Sequence, residues 1–200
     1  HPVAIALSRT IRECALPRAP FDAMIAARVR DLAATPPANL AALEQYARAT
    51  SSGLIGLAAR VLAPGDPDPA AQAAIDHAGI GVALTGLIRS IGFHARAGRV
   101  YLPRELMIAN GLTPEAVLAR RMTAPLRQLI VTLAGCAQSH LATATAFPRL
   151  MLPALLPASL AKLYLHQIFR NGFDPFHTVQ PIPAYRRQIR LLRAVWLGHL

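Results

Sequence analysis

Ten carboxylates, seven histidines and two cysteines carry most of the chain's capacity for metal or acid–base chemistry. The carboxylates are Glu13, Asp22, Asp31, Glu44, Asp66, Asp68, Asp76, Glu105, Glu115 and Asp174. Residues four apart share a helix face, so carboxylate pairs at that spacing can hold a cation between them. Here only Asp66 and Asp68 fall within four residues of each other, in the turn-forming Pro64-Gly65-Asp66-Pro67 stretch. His77 and His94 lie on one expected helix, about 25 Å apart at ~1.5 Å per residue, too far to share a ligand. Both read as structural, and His140, in an apolar stretch, reads as a core or cavity-lining residue. Cys14 and Cys136 have no zinc spacing and read as reduced thiols in a reducing compartment, a disulfide being the alternative. No metal or cofactor is expected.

Charge is the second resource. Twenty arginines and one lysine, Lys162, face ten carboxylates for a net +11. Such a balance attracts nucleic acid, acidic lipid headgroups or an acidic partner; a GC-rich genome would account for arginine over lysine but not for the shortage of carboxylates. Hydrophobic residues make up 54% of the chain, enough for a substantial core or a large partner contact.

The elements that must position these groups are all helical. Alanine and leucine dominate, β-branched and aromatic residues are scarce, and no period-2 strand stands out. Prolines and caps divide the chain. Val3 to Ala15 is expected as one helix. Pro20 opens a second carrying Phe21, Met24, Ile25 and Leu32, which Pro36-Pro37 ends. Asn39 caps a third, Leu40 to Leu62, with Leu40, Leu43, Ala47, Leu54, Leu57 and Leu62 at helical spacing. Asp68-Pro69 starts a helix running to about Ala95, followed by an irregular Ala97-Gly98-Arg99. Thr113-Pro114-Glu115 caps a short helix. Longer ones span Ala124 to Phe147, Ser159 to Arg170 and Pro183 to Gly198. The longest stretch free of Lys, Arg, Asp and Glu, Gln128 to Pro148, contains too many polar groups for a lipid-spanning helix and reads as a core helix.

Several segments carry a resemblance. His77 to Pro103 reads HAGIGVALTGLIRSIGFHARAGRVYLP. It is similar to the squalene/phytoene synthase family's helix ending in Asn/Thr-x-x-Arg-Asp-x-x-x-Asp, followed by Arg-Gly-Arg-x-Tyr-Leu-Pro. Arg89, Arg96, Gly98, Arg99, Tyr101, Leu102 and Pro103 fall on that pattern. Tyr46 to Gly53 resembles the family's Tyr-Cys-x-x-Val-Ala-Gly helix, Gly111-Leu112-Thr113 its Gly-Leu-Ser/Thr, and Tyr164 with Gly172 to Phe176 its Gly-Tyr-Asp-x-Phe close. The resemblance implies an all-α fold: a partial isoprenoid-synthase-like helical bundle, one domain over 1–200, lacking the N-terminal third.

In that family two Asp-x-x-x-Asp motifs hold the magnesium ions that draw diphosphate from a prenyl substrate; magnesium prefers oxygen ligands. Ser90 and His94 stand where the second pair of aspartates would be, a degenerate metal motif, and the first pair would lie upstream of His1. A partner chain could restore the first motif but not the second. The resemblance therefore implies a pseudoenzyme with no catalytic residues. Arg89, Arg96, Arg99 and Tyr101 would form a remnant site for an anion or lipid headgroup, through bidentate hydrogen bonds; the same arginines could cap helix ends or pair with carboxylates.

One branch of the family, the mitochondrial complex I assembly factor type and its α-proteobacterial relatives, is more similar still. The shared points are Thr85 to Arg89, Phe93 to Pro103 and Phe173 to His177. That branch implies an accessory, assembly or structural subunit of a membrane-associated, respiratory complex. Its partners would be other subunits, with a lipid or prenyl lipid in the remnant cavity. Its place would be the matrix side of the mitochondrial inner membrane or, as the alternative, the membrane-peripheral cytoplasm of an α-proteobacterium. Competing readings are a prenyltransferase acting on prenyl diphosphates and a basic scaffold subunit of a ribonucleoprotein. The arginines lack the interleaved exposed aromatics of a nucleic-acid platform, so nucleic acid is not the expected partner.

The last expected helix places Tyr185, Ile189, Leu192 and Trp196 on one face, with Arg186, Arg187, Arg190 and Arg193 around the other. That stripe reads as the core face of a terminal helix, or as a membrane or partner surface formed by the arginines with Trp196.

Overall fold

Short polar side chains ahead of proline start the helices, as the sequence leads one to expect. The computed structural model describes residues 1–200 except 34, 171–172 and 178–180; Gly172 of the family-like closing segment thus lies outside the described residues. In chain order the α-helices are α1 (Pro2–Glu13), α2 (Ala19–Val29), α3 (Leu40–Ala47), α4 (Gly53–Leu62), α5 (Pro69–Arg89), α6 (Ile91–Arg96), α7 (Arg104–Ala109), α8 (Pro114–Leu118), α9 (Ala124–Thr143), α10 (Leu152–Ile168) and α11 (Ala184–Leu197). Among the described residues there is no strand. Asn39, Asp68, Thr113 and Thr123 each accept a first-turn N–H, Asp68 Oδ1 from Ala71 N at 2.8 Å. Each such cap contributes about 1 kcal/mol.

The bundle is arranged around α5. Its Ile75, Ala78, Ile80, Leu84 and Ile88 are essentially fully buried. It packs against α9, α10 and the α3–α4 run. By length and composition α5 is apolar enough to cross a membrane, but 56% of that window is buried inside the bundle, as for a core helix. On α9 the stripe Leu126, Leu129, Ile130, Leu133, Ala137 and Leu141 faces inward as its spacing predicts.

Between α3 and α4 the backbone takes a π-helical turn over Arg48–Ser52. Ser52 Oγ donates to the Asp76 carbonyl at 2.9 Å. A Cβ on Gly79 would overlap the backbone of Ser52, so the two helices touch backbone to backbone. The π turn inserts one residue and rotates α4 relative to α3. Leu54, expected on the buried stripe, is therefore 60% exposed, and Ile55 takes its place in the core.

Other boundaries shift for identifiable reasons. The helix expected to run to Ala95 breaks at Ser90, whose φ of −95° and ψ of 4° close α5 and open α6. The helix expected to reach Phe147 ends at Thr143. α10 begins seven residues before the expected Ser159, at Leu152, because Pro153 sits in its first turn and Pro157 is tolerated inside it. The cost of Pro157 is one missing N–H donor toward the Pro153 carbonyl. Arg104–Ala109, to which the sequence reading assigns no element, is helical. On α2 only Ala27 is buried and Ile25 faces outward, as does Leu32 in the 3-10 turn Arg30–Ala33 that follows.

The Gly79 contact makes a measurable contrast with Gly86, where an added Cβ meets nothing within 4 Å. Gly79→Ala is expected to destabilise by about 1–3 kcal/mol through overpacking, outweighing its helix-propensity gain. Gly86→Ala is expected to stabilise by up to ~1 kcal/mol. Urea midpoints of the two variants read the difference in sign.

Candidate functional site

The segment between α2 and α3, the C-terminal half of α3 and the Arg99–Tyr101 stretch enclose a cavity of about 250 Å³. Its polar wall is a linked set. Arg28 Nη1 donates to Tyr46 Oη at 2.8 Å, and Tyr46 Oη donates to Asp31 Oδ2 at 3.0 Å. The Asp31 side chain is only 15% exposed, so this pairing supplies what water does not. The Tyr101 ring lies 6.2 Å from that of Tyr46 and 4.6 Å from that of His94. Arg30 and Arg99 complete the rim.

Electrostatics holds these groups in their neutral forms. Burial and the hydrogen bond to Asp31 push the Tyr46 hydroxyl up to about 12. Burial and the charge of Asp31 raise Tyr101. Burial and then the charge of Arg99 hold His94 below the usual histidine range. A phenol that stays protonated and an imidazole that stays neutral donate and accept hydrogen bonds, but make a poor base or nucleophile at neutral pH. With Arg30 and Arg99 on its rim against the single carboxylate Asp31, the cavity has an excess of positive charge in its lining.

Ser90 and His94, the degenerate pair, are occupied structurally. The Ser90 N–H caps the end of α5 on the Gly86 and Leu87 carbonyls at 3.0 and 3.2 Å, and its carbonyl accepts from His94 N at 2.9 Å. His94 lines a space of about 10 Å³ at the inner end of the cavity, no larger than about one water. Among the described residues no three His, Cys, Asp or Glu side chains converge to hold a metal ion.

The four residues expected as one remnant site do not share one cavity. Arg99 and Tyr101 line the space just described. Arg89 instead lies over the Tyr164 ring, Cζ 3.6 Å from its centroid. It borders a separate groove of about 480 Å³ walled by Val82, Pro153, Pro157, Leu160 and Leu191. Arg96 is exposed at the end of α6 and lines neither. The divergence comes from helix geometry and from the break at Ser90, which separate positions seven and ten residues apart. At the family-like close, Asp174 Oδ1 accepts from Phe176 N at 2.8 Å, and Arg127 Nη1 donates to the Phe173 carbonyl at 3.3 Å.

One cluster is missed by sequence reasoning. His77 Nδ1 meets His140 Nδ1 at 2.9 Å, and His140 Nε2 meets Glu44 Oε1 at 3.2 Å. One Nδ1 carries the proton and the other accepts it; Glu44 favours the tautomer in which His140 Nε2–H donates to it. Arg48 and Gln72 hold Asp76 beside His77, at 3.5 and 2.9 Å. The Cys136 thiol nearby is pushed up by burial and by the charge of Glu44. The chain of contacts ties α3, α5 and α9 together. Its sequence signal is faint: two histidines set in apolar helices, each needing a partner.

This all-helical bundle has the isoprenoid-synthase type of fold. The sequence profile of the squalene/phytoene synthase family matches residues 1–193, and the chain belongs to that family. Among curated proteins, it is 29% identical over 196 residues to "NADH dehydrogenase (ubiquinone) complex I, assembly factor 6" of Bos taurus, covering 96% of this chain and 57% of that protein. The Homo sapiens protein of the same name is 29% identical over 181 residues, covering 88% of this chain and 54% of that one. A phytoene synthase of Cereibacter sphaeroides is 29% identical over 119 residues, covering 60% of this chain and 33% of that enzyme. The chain thus spans little more than half the length of the assembly factors it matches. Among solved structures, squalene synthase HpnC from Alicyclobacillus acidocaldarius superposes with a TM-score of 0.66 at 22% identity, covering 96% of this chain and 65% of that one. A dehydrosqualene synthase in complex with ligand superposes with a TM-score of 0.72 at 22% identity, covering 91% and 65%.

The histidine pair makes stability pH-dependent. Burial and the charge of His140 hold His77 below the ordinary histidine value, so folding favours its neutral form. Glu44 and Asp76 oppose this shift and Arg48 adds to it. Stability from this source is present above pH ~6.5 and lost as pH falls through the lower, folded-state value. Thermal melts between neutral and mildly acidic pH are expected to show this loss, and His77→Phe to flatten it. His140→Ala, which strands both neighbours, is expected to cost about 1–3 kcal/mol.

Proposed function

We propose that this chain acts without catalysis, as an assembly or accessory subunit for a respiratory NADH dehydrogenase of the complex I kind. The observation that carries the reading is the state of Ser90 and His94. At the positions matching the family's second metal motif stand a helix-terminating serine and a neutral imidazole packed against Tyr101, neither able to replace a bridging carboxylate around magnesium. The assembly-factor relatives, matched over most of this chain, support the same reading. Its partners are then subunits of that complex. Its place is the matrix side of the mitochondrial inner membrane, or in an α-proteobacterium the cytoplasmic side of the cell membrane. The cavity at Tyr46 and Arg99 suits an anionic headgroup and the groove at Arg89 an apolar chain.

The likeness to phytoene and squalene synthases favours a second reading, transfer between prenyl diphosphates. One pair of measurements separates the two. Purification of the tagged protein in mild detergent, with mass spectrometry, is expected to recover respiratory-complex subunits in stoichiometric amounts. Incubation with magnesium and a prenyl diphosphate is expected to release no diphosphate above the no-protein control. Release that depends on magnesium and the protein would overturn the non-catalytic reading. Recovery of the protein alone would overturn the assembly role.

A further inference from the structure

The terminal helix α11 is held against the bundle with its apolar stripe turned away from it. Trp196 is 82% exposed, Leu192 67%, Tyr185 56% and Ile189 52%. At 3.6 residues per turn these four fall within about 60° of one another around the helix axis. This stripe, readable in the sequence as a core face, is therefore not one. Only Ala194 of α11 is buried. The reason is the set of anchors on the opposite side. Arg190 Nε donates to the Ser159 carbonyl at 3.3 Å and Arg149 Nη2 to the Val195 carbonyl at 3.4 Å. Lys162 Nζ donates to the Leu200 carbonyl at 3.2 Å. One of these bonds uses Arg190 of the helix itself and two come from cations of the bundle, and together they hold the helix with its stripe outward.

We propose that this face lies flat on an anionic lipid surface. Three features select that occupant. The stripe ends in Tyr185 at one end and Trp196 at the other, rings that combine an apolar body with a polar edge and favour the headgroup boundary. Arg186 and Arg193 flank it on one side, and among the described residues Arg186, Arg187 and Arg193 have no carboxylate partner. The charge is also concentrated here: the residues after Glu115 contain ten of the 21 cations and a single carboxylate, Asp174, which is held by His177 and the Phe176 N–H. A second copy docked on the same face would bring like charges together, and a nucleic acid would leave Ile189 and Leu192 unburied. α1 also exposes Val3, Ile5 and Leu7, but its only cationic side chains besides His1 are Arg9 and Arg12, and Arg9 is paired with Glu13 at 2.7 Å. Lipid binding by this face requires neither the assembly role nor any ligand in the cavities.

Trp196 is the only tryptophan of the sequence and reports directly on the face. Titration with vesicles of phosphatidylcholine plus phosphatidylglycerol is expected to shift its emission to the blue and to sediment the protein, with binding that weakens as salt rises. Vesicles of phosphatidylcholine alone are expected to do neither. Replacing Arg186 and Arg193 together by Gln is expected to weaken binding by about twenty-fivefold, at about fivefold per arginine. Leu192→Ala is expected to weaken it while leaving helix content by circular dichroism unchanged. No shift with either vesicle, equal binding to both, or unchanged binding of the double variant would overturn the proposal. So would a blue shift that tracks protein concentration without vesicles, the sign of a second copy.

Discussion

The backbone contact between Ser52 and Gly79 sets the spacing on which the rest of the bundle depends. Because no side chain separates the two helices there, the α3–α4 run approaches α5 closely enough for Glu44, His140 and His77 to meet. The same run carries Tyr46 to the Tyr101 ring. The π turn at Arg48–Ser52 makes that approach possible by turning Ser52 and Ile55 inward together. π turns of this kind concentrate at functional sites, and this one lies between the two polar clusters of the molecule.

In both clusters burial favours the neutral form of a ring group: Tyr46, Tyr101 and His94 in one, His77 in the other. That differs from what cation-assisted departure of diphosphate requires, which is a concentration of negative oxygen ligands in one place. In the cavity the single carboxylate, Asp31, is already engaged by Tyr46 and Arg28. Glu44 is engaged by His140. The arginines are distributed in a complementary way: one set around the Asp31 cavity, Arg89 stacked on Tyr164, and a third set along α11.

Much of the fold was legible along the chain, because its determinants are local. Asn39, Asp68 and Thr113 cap helices where their place before leucine or proline predicts, and the α9 stripe needs only a period of 3.6 residues. What was not legible depends on distant residues. Nothing near Arg48 announces a π turn, and the residue its backbone meets, Gly79, lies on another helix. Pro157 reads as a breaker until its place one turn after Pro153 is known. The His77–His140 contact spans 63 residues of sequence, so no spacing rule reaches it. The orientation of α11 turns on hydrogen bonds from Arg149, Arg190 and Lys162 to carbonyl groups, which composition does not reveal. Of the candidate site, Arg99 and Tyr101 were placed together by adjacency, while Arg89 and Arg96 were separated by the rotation of the helix and its break at Ser90.

α1 buries none of its twelve residues. It is held by its own backbone bonds, by the Arg9–Glu13 pair and by the Arg12–Ser8 contact at 3.0 Å. Isolated helices shorter than about 12–15 residues are marginal in water. Its amide protons therefore exchange with solvent through local fraying rather than through opening of the bundle, while those at the centre of α5 wait for global unfolding. The chain is thus two regimes of cooperativity joined at Ala15, whose φ of 47° turns the backbone out of the helix: a segment that melts gradually, and a core that melts at once.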